Sequence, residues 1–287
     1  MNPKANKAFG TTFAKRKKGR EKTISQQSLE IKIDPTQNLS KKLKRKNKRK
    51  RNKDALQKEK EKENDKKQRL LTMAKSAMLT FCAGDDYKHC MRHGLDSKAK
   101  YCKLHGIDFI CEDDSAPYYD GKRPMPWYKI LMIKHHLPKY DFVFWSDADV
   151  LIKNFSFSIN EYASRHSNIN FVFAKDFNAV NTGHFLVNDS EHSIDMLDLI
   201  YQQEHVINHM WWEQSAIILL LRDVESFSSK CHVEENGRLF NAFTPDLVQK
   251  EGEKAEPYIY KHNDFLIHYP GFKKEQVLRM MERDIDS

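Results

Sequence analysis

From Ala77 onward the chain alternates between two hydrophobic patterns. Short apolar runs of β type occur as "AMLTFCAG" (77–84), "IDFIC" (107–111), "DFVFWSDAD" (141–149), "INFVFA" (169–174), "GHFLVN" (183–188) and "DFLIHY" (264–269). Between them lie longer segments whose apolar residues recur at helical spacing. The first covers 87–105, with one interior glycine, Gly94, and with Gly106 placed to cap its end. "WYKILMIKHHL" (127–137) is stopped by Pro138, and further helices are expected over 190–207, 211–222 and 273–283. Strands alternating with helices predict an α/β sandwich around a mostly parallel sheet.

Upstream of residue 73 this pattern is missing. Met1 to Arg69 contains no Trp or Tyr, and its centre is "KKLKRKNKRKRNK" (41–53). Too little apolar area is present to offset the entropy of ordering the backbone. Residues 1–72 therefore read as a disordered basic tail with a charged helix over about 54–71, and residues 73–287 as the folded domain. The charge divides the same way: residues 1–70 hold 25 of the 49 Lys+Arg and 8 of the 40 Asp+Glu, a net +17, and the remainder carries −8. A solvated tail accounts for the basic run, and so does an arm for nucleic acid, an anionic membrane or an acidic protein.

No apolar run reaches the roughly 18–20 residues of a membrane span, and the N-terminus lacks the apolar core of a secretory signal. The five cysteines, Cys82, Cys90, Cys102, Cys111 and Cys231, lack metal-binding spacing and read as reduced thiols. These features predict a cytoplasmic protein, with the basic run allowing a nuclear one, and exclude secretion.

"FVFWSDADVLI" (142–152) has the composition of a buried strand, yet carboxylates interrupt it at Asp147 and Asp149. An acidic turn at a strand end would read the same way. In open α/β sheets, however, ligands sit beyond the carboxyl ends of the strands, and alternate residues of an extended chain share a side. Two carboxylates so placed repel unless a cation lies between them, and oxygen ligands suit Mn²⁺ or Mg²⁺ bound to a diphosphate.

"WSDADVLI" resembles the Asp-x-Asp motif of GT-A-fold glycosyltransferases. Further segments in order strengthen that likeness: "KAKYCKLHGIDF" (98–109), "PWYKILMIKHHL" (126–137), "NTGHFLVNDSEHSIDMLDLIY" (181–201), "WEQSAIILLL" (212–221) and "FLIHYPGFKK" (265–274). Together they resemble the retaining family of plant xyloglucan xylosyltransferases and fungal galactosyl- and mannosyltransferases. The resemblance implies a GT-A-like three-layer fold and a metal-dependent hexosyl- or pentosyltransferase. Such an enzyme takes a nucleotide-sugar, here expected to be a UDP-sugar, and forms an α-linkage to a hydroxyl of a glycan or protein. By the same resemblance His268 joins Asp147 and Asp149 as a metal ligand. Lys273 and Gly271 would hold the donor diphosphate. Gln214 and Glu213 would be the catalytic pair, with Gln214 beside the anomeric carbon and Glu213 orienting the acceptor.

Asn181, Thr182, Gly183 and His184 read as a polar turn near the transferred sugar and acceptor, with Gly183 admitting a ligand close to the backbone. Trp212 joins them. Ala83, Gly84 and Asp85 follow the first strand, where a nucleoside would sit. Trp127 and Lys129 suit either helix packing or nucleotide contact. Phe272 stands where the family carries a cysteine, so a family disulfide is lost. Two rivals remain. "CAGDDYKHC" lacks the Gly-rich basic loop of a nucleotidyltransferase, and a nucleic-acid- or anion-binding protein would act through its tail with a non-catalytic domain.

Overall fold

A strand buried on both faces of a parallel sheet must be apolar throughout, and the two central runs obey this. The computed structural model describes residues 48–53, 55–58, 60 and 74–285. Its strands are β1 (Ser76–Phe81), β2 (Asp108–Glu112), β3 (Phe142–Ser146), β4 (Val150–Ile152), β5 (Phe171–Asp176), β6 (Ala179–Asn188), β7 (Cys231–Glu234) and β8 (Leu266–His268). Six of them form one sheet in the order β2-β1-β3-β6-β5-β7, in which β6 runs against both of its neighbours and the other pairs are parallel.

Alternate strand residues enter opposite layers. Ala77, Leu79, Val143, Trp145, Phe173 and Phe185 meet the helices Tyr128–His136, Glu191–Tyr201 and Trp212–Asp223. Met78, Phe142, Phe144, Val172 and Leu186 face the helices Asp85–His105 and Ile159–Arg165. Each fully buried Phe contributes about 1.5–3 kcal/mol relative to exposure, so both faces drive the sandwich. The three-layer α/β architecture is the expected one, and Gly106 caps its helix in the left-handed conformation at φ 64°.

The structure differs from the sequence reading at several points. The last strand leaves the main sheet: β8 pairs antiparallel with β4, with His268 opposite Val150. Asn181 to His184 lie inside β6 rather than in a turn before it. The register with β5 jumps there, from Phe173 opposite Phe185 to Ala174 opposite Asn181, so 182–184 bulge from the β5 ladder. Asp85 opens the first long helix, where an acid favours the helix dipole. The helix expected over 190–207 stops at Tyr201 and resumes as the single turn Glu204–Val206.

The chain divides into two units, Met1–Glu59 and Lys60–Ser287. Residues 48–53, 55–58 and 60 are helical, so helix is already present within the basic run, upstream of the expected start at 54. The rest of that expected helix, 61–71, and the tail before 48 lie outside the described residues. No helix among the described residues is long and apolar enough to cross a membrane. All five cysteines are free, three of them buried.

Candidate active site

The acidic turn is held from behind by the helix Asp85–His105. A Cβ on Gly94 would lie 2.5 Å from the Val150 carbonyl and 2.8 Å from that of Ala148, so only glycine lets the helix approach this closely. One helical turn later, the buried Lys98 donates from Nζ to the same two carbonyls, at 3.0 Å to Val150 and 3.3 Å to Ala148. Burial pushes the Lys98 ammonium down to about 8, a drop partly opposed by the charges of Asp149 and Asp147. From the front, the Asp147 N–H donates to the Gly183 carbonyl at 2.8 Å, and the Tyr269 N–H to the Asp149 carbonyl at 3.0 Å.

This framework brings Asp147, Asp149 and His268 together, with one ligand atom from each inside a mutual separation of 4.8 Å. His268 Nε2 lies 3.6 Å from Asp149 Oδ1. Its Nδ1 is 2.7 Å from Asn241 Oδ1. That oxygen only accepts, so Nδ1 carries the proton and Nε2 presents a lone pair toward the carboxylates. Burial disfavours the ionised Asp149 carboxylate, and the charge of Lys98 favours it. Two carboxylates and a correctly oriented imidazole fit a divalent cation.

Across the cavity a second charged group is tied to the first. Lys129 Nζ lies 2.9 Å from Glu213 Oε1 and 3.2 Å from Asp147 Oδ1, and it donates to the Thr182 carbonyl at 3.0 Å. The Trp145 indole N–H donates to the same Asp147 oxygen at 2.7 Å. Burial would lower the pKa of Lys129, but Asp147 and Glu213 outweigh it and raise the pKa. Glu213, only 2 % exposed, is raised by burial, with Lys129 opposing. Thr182 donates its hydroxyl to Glu213 Oε1 at 2.9 Å and its N–H to Gln214 Oε1 at 3.2 Å. The bulge in β6 makes this possible, because it takes the Thr182 peptide out of the β5 ladder. Glu213 Oε2 is buried without a hydrogen-bond partner.

The resulting cavity has a volume of about 540 Å³. Of the residues singled out from sequence, Ala83, Lys129, Asp147, Asp149, Asn181, Thr182, Gly183, Trp212, Glu213, Gln214, His268 and Gly271 line it. Gly84 and Asp85 do not, being exposed at the start of the helix whose Tyr87 reaches the lining. Trp127 is buried, with its indole N–H donating to the Ile207 carbonyl at 3.0 Å, which assigns it to packing. His184 is wholly buried behind His268, and its burial depresses the imidazole pKa well below the usual value. Lys273 is exposed at the start of the last helix and does not reach the lining. Gly183 also has a packing reason: a Cβ there would stand 2.5 Å from His268 Cε1, so the glycine makes room for that ring.

Sequence reading missed Lys98, Gly94 and Asn241. Lys98 had a signal, being a lysine at helical spacing among Met91, Tyr101 and Cys102, all buried. Asn241 had none, because its partner lies 27 residues away.

Comparison with known proteins agrees with this geometry. An uncharacterized alpha-1,2-galactosyltransferase of Schizosaccharomyces pombe is 24% identical over 188 residues, covering 47% of this chain and 50% of that one. A probable xyloglucan 6-xylosyltransferase 3 of Arabidopsis thaliana is 29% identical over 240 residues, covering 68% of this chain and 51% of that one. The chain thus spans about half the length of these relatives. The crystal structure of a glycosyltransferase involved in glycosylation of the major capsid of PBCV-1 superposes with a TM-score of 0.53 at 16% identity, covering 72% of this chain and 99% of that one. That likeness shows a shared GT-A glycosyltransferase fold. The profile of one family matches residues 64–170 and 162–278, nearly all of the folded part, and the chain belongs to that family, the galactosyl transferase GMA12/MNN10 family.

Proposed function

We propose that this chain is a metal-dependent retaining glycosyltransferase that moves a sugar from a nucleotide-sugar, with a UDP-sugar as first choice, to a hydroxyl of a glycan or protein acceptor, forming an α-linkage. The observation that carries the reading is the Asp147–Asp149–His268 cluster on one wall of a cavity whose other wall presents Glu213 and Gln214. A divalent cation, Mn²⁺ or Mg²⁺, held by those three residues would neutralise charge developing on the departing nucleoside diphosphate.

The chain's own groups have separable tasks. Gly271 and Pro270 close the cavity beside the metal ligands, leaving the diphosphate a path along the loop before the last helix. Gln214 is oriented by the Thr182 N–H on its Oε1, which leaves its amide N–H groups for the sugar. Glu213 has one oxygen committed to Lys129 and Thr182, while the buried Oε2 has no partner, so a small turn of the carboxylate toward the cavity would let it accept from an acceptor hydroxyl.

In the reaction the bond from the anomeric carbon to the phosphate oxygen breaks, and the diphosphate keeps the electron pair. The acceptor oxygen bonds to the same face of that carbon, and its proton passes to a phosphate oxygen. Glu213, paired with an ammonium, is poorly prepared as a nucleophile, and this favours direct front-side transfer over a covalent intermediate. A glycosyl adduct trapped on Glu213 would refute that choice.

Turnover tests the reading. Purified protein with Mn²⁺ is incubated with UDP-galactose, UDP-xylose, UDP-glucose and GDP-mannose, alongside Asp149→Ala. Sugar release or transfer from one donor, lost in the variant and on chelation, is the expected result. Equal release by the variant would remove the cluster from catalysis.

A further inference from the structure

A second, separate groove lies beside the loop that closes the active cavity. It is lined from the helices Leu247–Glu251 and Lys274–Asp284 and has a volume of about 500 Å³. No residue lines both spaces. The loop divides them: Pro270 and Gly271 line the active cavity, and Phe272 lines the groove. Phe272 and the buried Met280 supply the apolar part of the groove, and the rest of its lining is polar.

The hydrogen-bonding capacity of that polar lining is one-sided. Its single carboxylate, Asp246, is already engaged, accepting from Thr244 Oγ1 at 2.9 Å and from Arg283 Nη2 at 2.7 Å. Arg283 is neutralised in turn, since its Nε also donates to Asp284 Oδ1 at 2.7 Å. Donors are what remain. Lys250 has no carboxylate partner among the described residues and spends one N–H on the Gly271 carbonyl at 2.8 Å, which leaves two. A Cβ on Gly271 would collide with Lys250 Nζ, so the glycine makes room for the ammonium. Arg279 is exposed and makes no hydrogen bond or ion pair among the described residues. Gln276 accepts from the Lys273 N–H on its Oε1 at 3.0 Å, which turns its amide N–H groups free, and Gln249 adds a further amide.

Two cations without carboxylates, set among spare N–H groups where the one acid is consumed, make an anion site. The setting sharpens the contrast, because residues 71–287 carry a net −8. Lys250 and Arg279 stand on different helices, so one ligand that meets both needs more than one anionic group. A guanidinium and amide N–H groups match phosphate oxygens in particular. We propose that this groove is a second anion site, taking a compact ligand with two or more phosphate groups, outside the active cavity and independent of the transferase reading.

Hydrogen-exchange mass spectrometry on the full chain tests this, with tripolyphosphate as the probe. A chelator is present, so that no cation recruits phosphate to the active cavity. Site resolution is needed because the basic run at 41–53 attracts any polyanion. Tripolyphosphate is expected to slow exchange saturably in peptides from 247–251 and 274–284, whereas citrate or sodium chloride at equal ionic strength does not. Arg279→Gln, at an exposed position, should weaken the apparent affinity about 5- to 10-fold, as loss of a charge-assisted hydrogen bond requires. Arg279→Lys should recover part of it, and Lys250→Gln should act in the same direction as Arg279→Gln. Lys103→Gln removes an exposed charge from another helix and should change nothing. Slowing confined to residues 1–70 or to peptides of the active cavity would overturn the proposal. So would equal slowing by citrate, a Lys103→Gln loss as large as that of Arg279→Gln, or an Arg279→Gln affinity within about 2-fold of the parent, the level of an ordinary surface charge.

Discussion

Asn241 offers the sharpest probe of the metal site, because it touches the cluster only through His268. Replacing it with Leu keeps a similar volume and removes the oxygen that lies 2.7 Å from His268 Nδ1. Two costs follow. A buried ring N–H loses its acceptor, which destabilises the fold by about 1–3 kcal/mol. The imidazole is also free to place its proton on Nε2, where the lone pair is needed. From there it can donate to Asp149 Oδ1, already 3.6 Å away, and close the site. Losing such a partner typically weakens metal binding by about 10- to 100-fold, equivalent to about 1.4–2.8 kcal/mol. Mn²⁺ affinity read by electron paramagnetic resonance, with a melting curve to confirm folding, measures both costs. Asn241→Asp still accepts from Nδ1–H and should hold the affinity. If folded Asn241→Leu bound Mn²⁺ within about 2-fold of the parent, well short of the loss such a partner normally causes, His268 would not be a ligand oriented in this way.

Three other substitutions examine the framework. Gly94→Ala would ordinarily stabilise a helix interior by about 0.5–1 kcal/mol. Here its Cβ meets two carbonyls of the acidic turn, so a lower melting temperature and weaker Mn²⁺ binding are expected, and a higher melting temperature would contradict the packing. Lys129→Met strands the buried Glu213 and its neighbour Asp147, and denaturant titration should show a loss of about 3–5 kcal/mol. A loss below about 1 kcal/mol, the level of a surface pair, would mean that these carboxylates are compensated elsewhere. Gly183→Ala drives a methyl toward His268 and should abolish Mn²⁺ binding, and retention of full affinity would show that the ring has room to move.

Much of the fold was legible because burial on two faces writes itself as continuous apolar runs, as in β1 and β3. The acidic pair was legible for a related reason, since carboxylates at the end of such a run need an explanation. What stayed hidden depends on pairings between distant segments. Nothing in "NTGHF" announces that β6 slips against β5, yet that slip turns the Thr182 peptide toward Lys129 and Gln214. The separate β4–β8 pair was equally invisible, and it is what carries His268 beside Asp149. Residue type left Trp127 open between packing and nucleotide contact, and only the fold shows its indole buried, with Lys273 exposed outside the cavity lining. At Gly183 the sequence does not show the packing demand of the His268 ring, which lies 85 positions further on.

On the proposed reading, Asp147, Asp149 and His268 hold the cation through which a nucleoside diphosphate binds. Calorimetric titration of UDP into the full chain, with Mn²⁺ and then with excess chelator, puts this to the test. Binding that needs Mn²⁺ and disappears in Asp149→Ala is the expected result. UDP binding of equal affinity in chelator, or undiminished in Asp149→Ala, would contradict it.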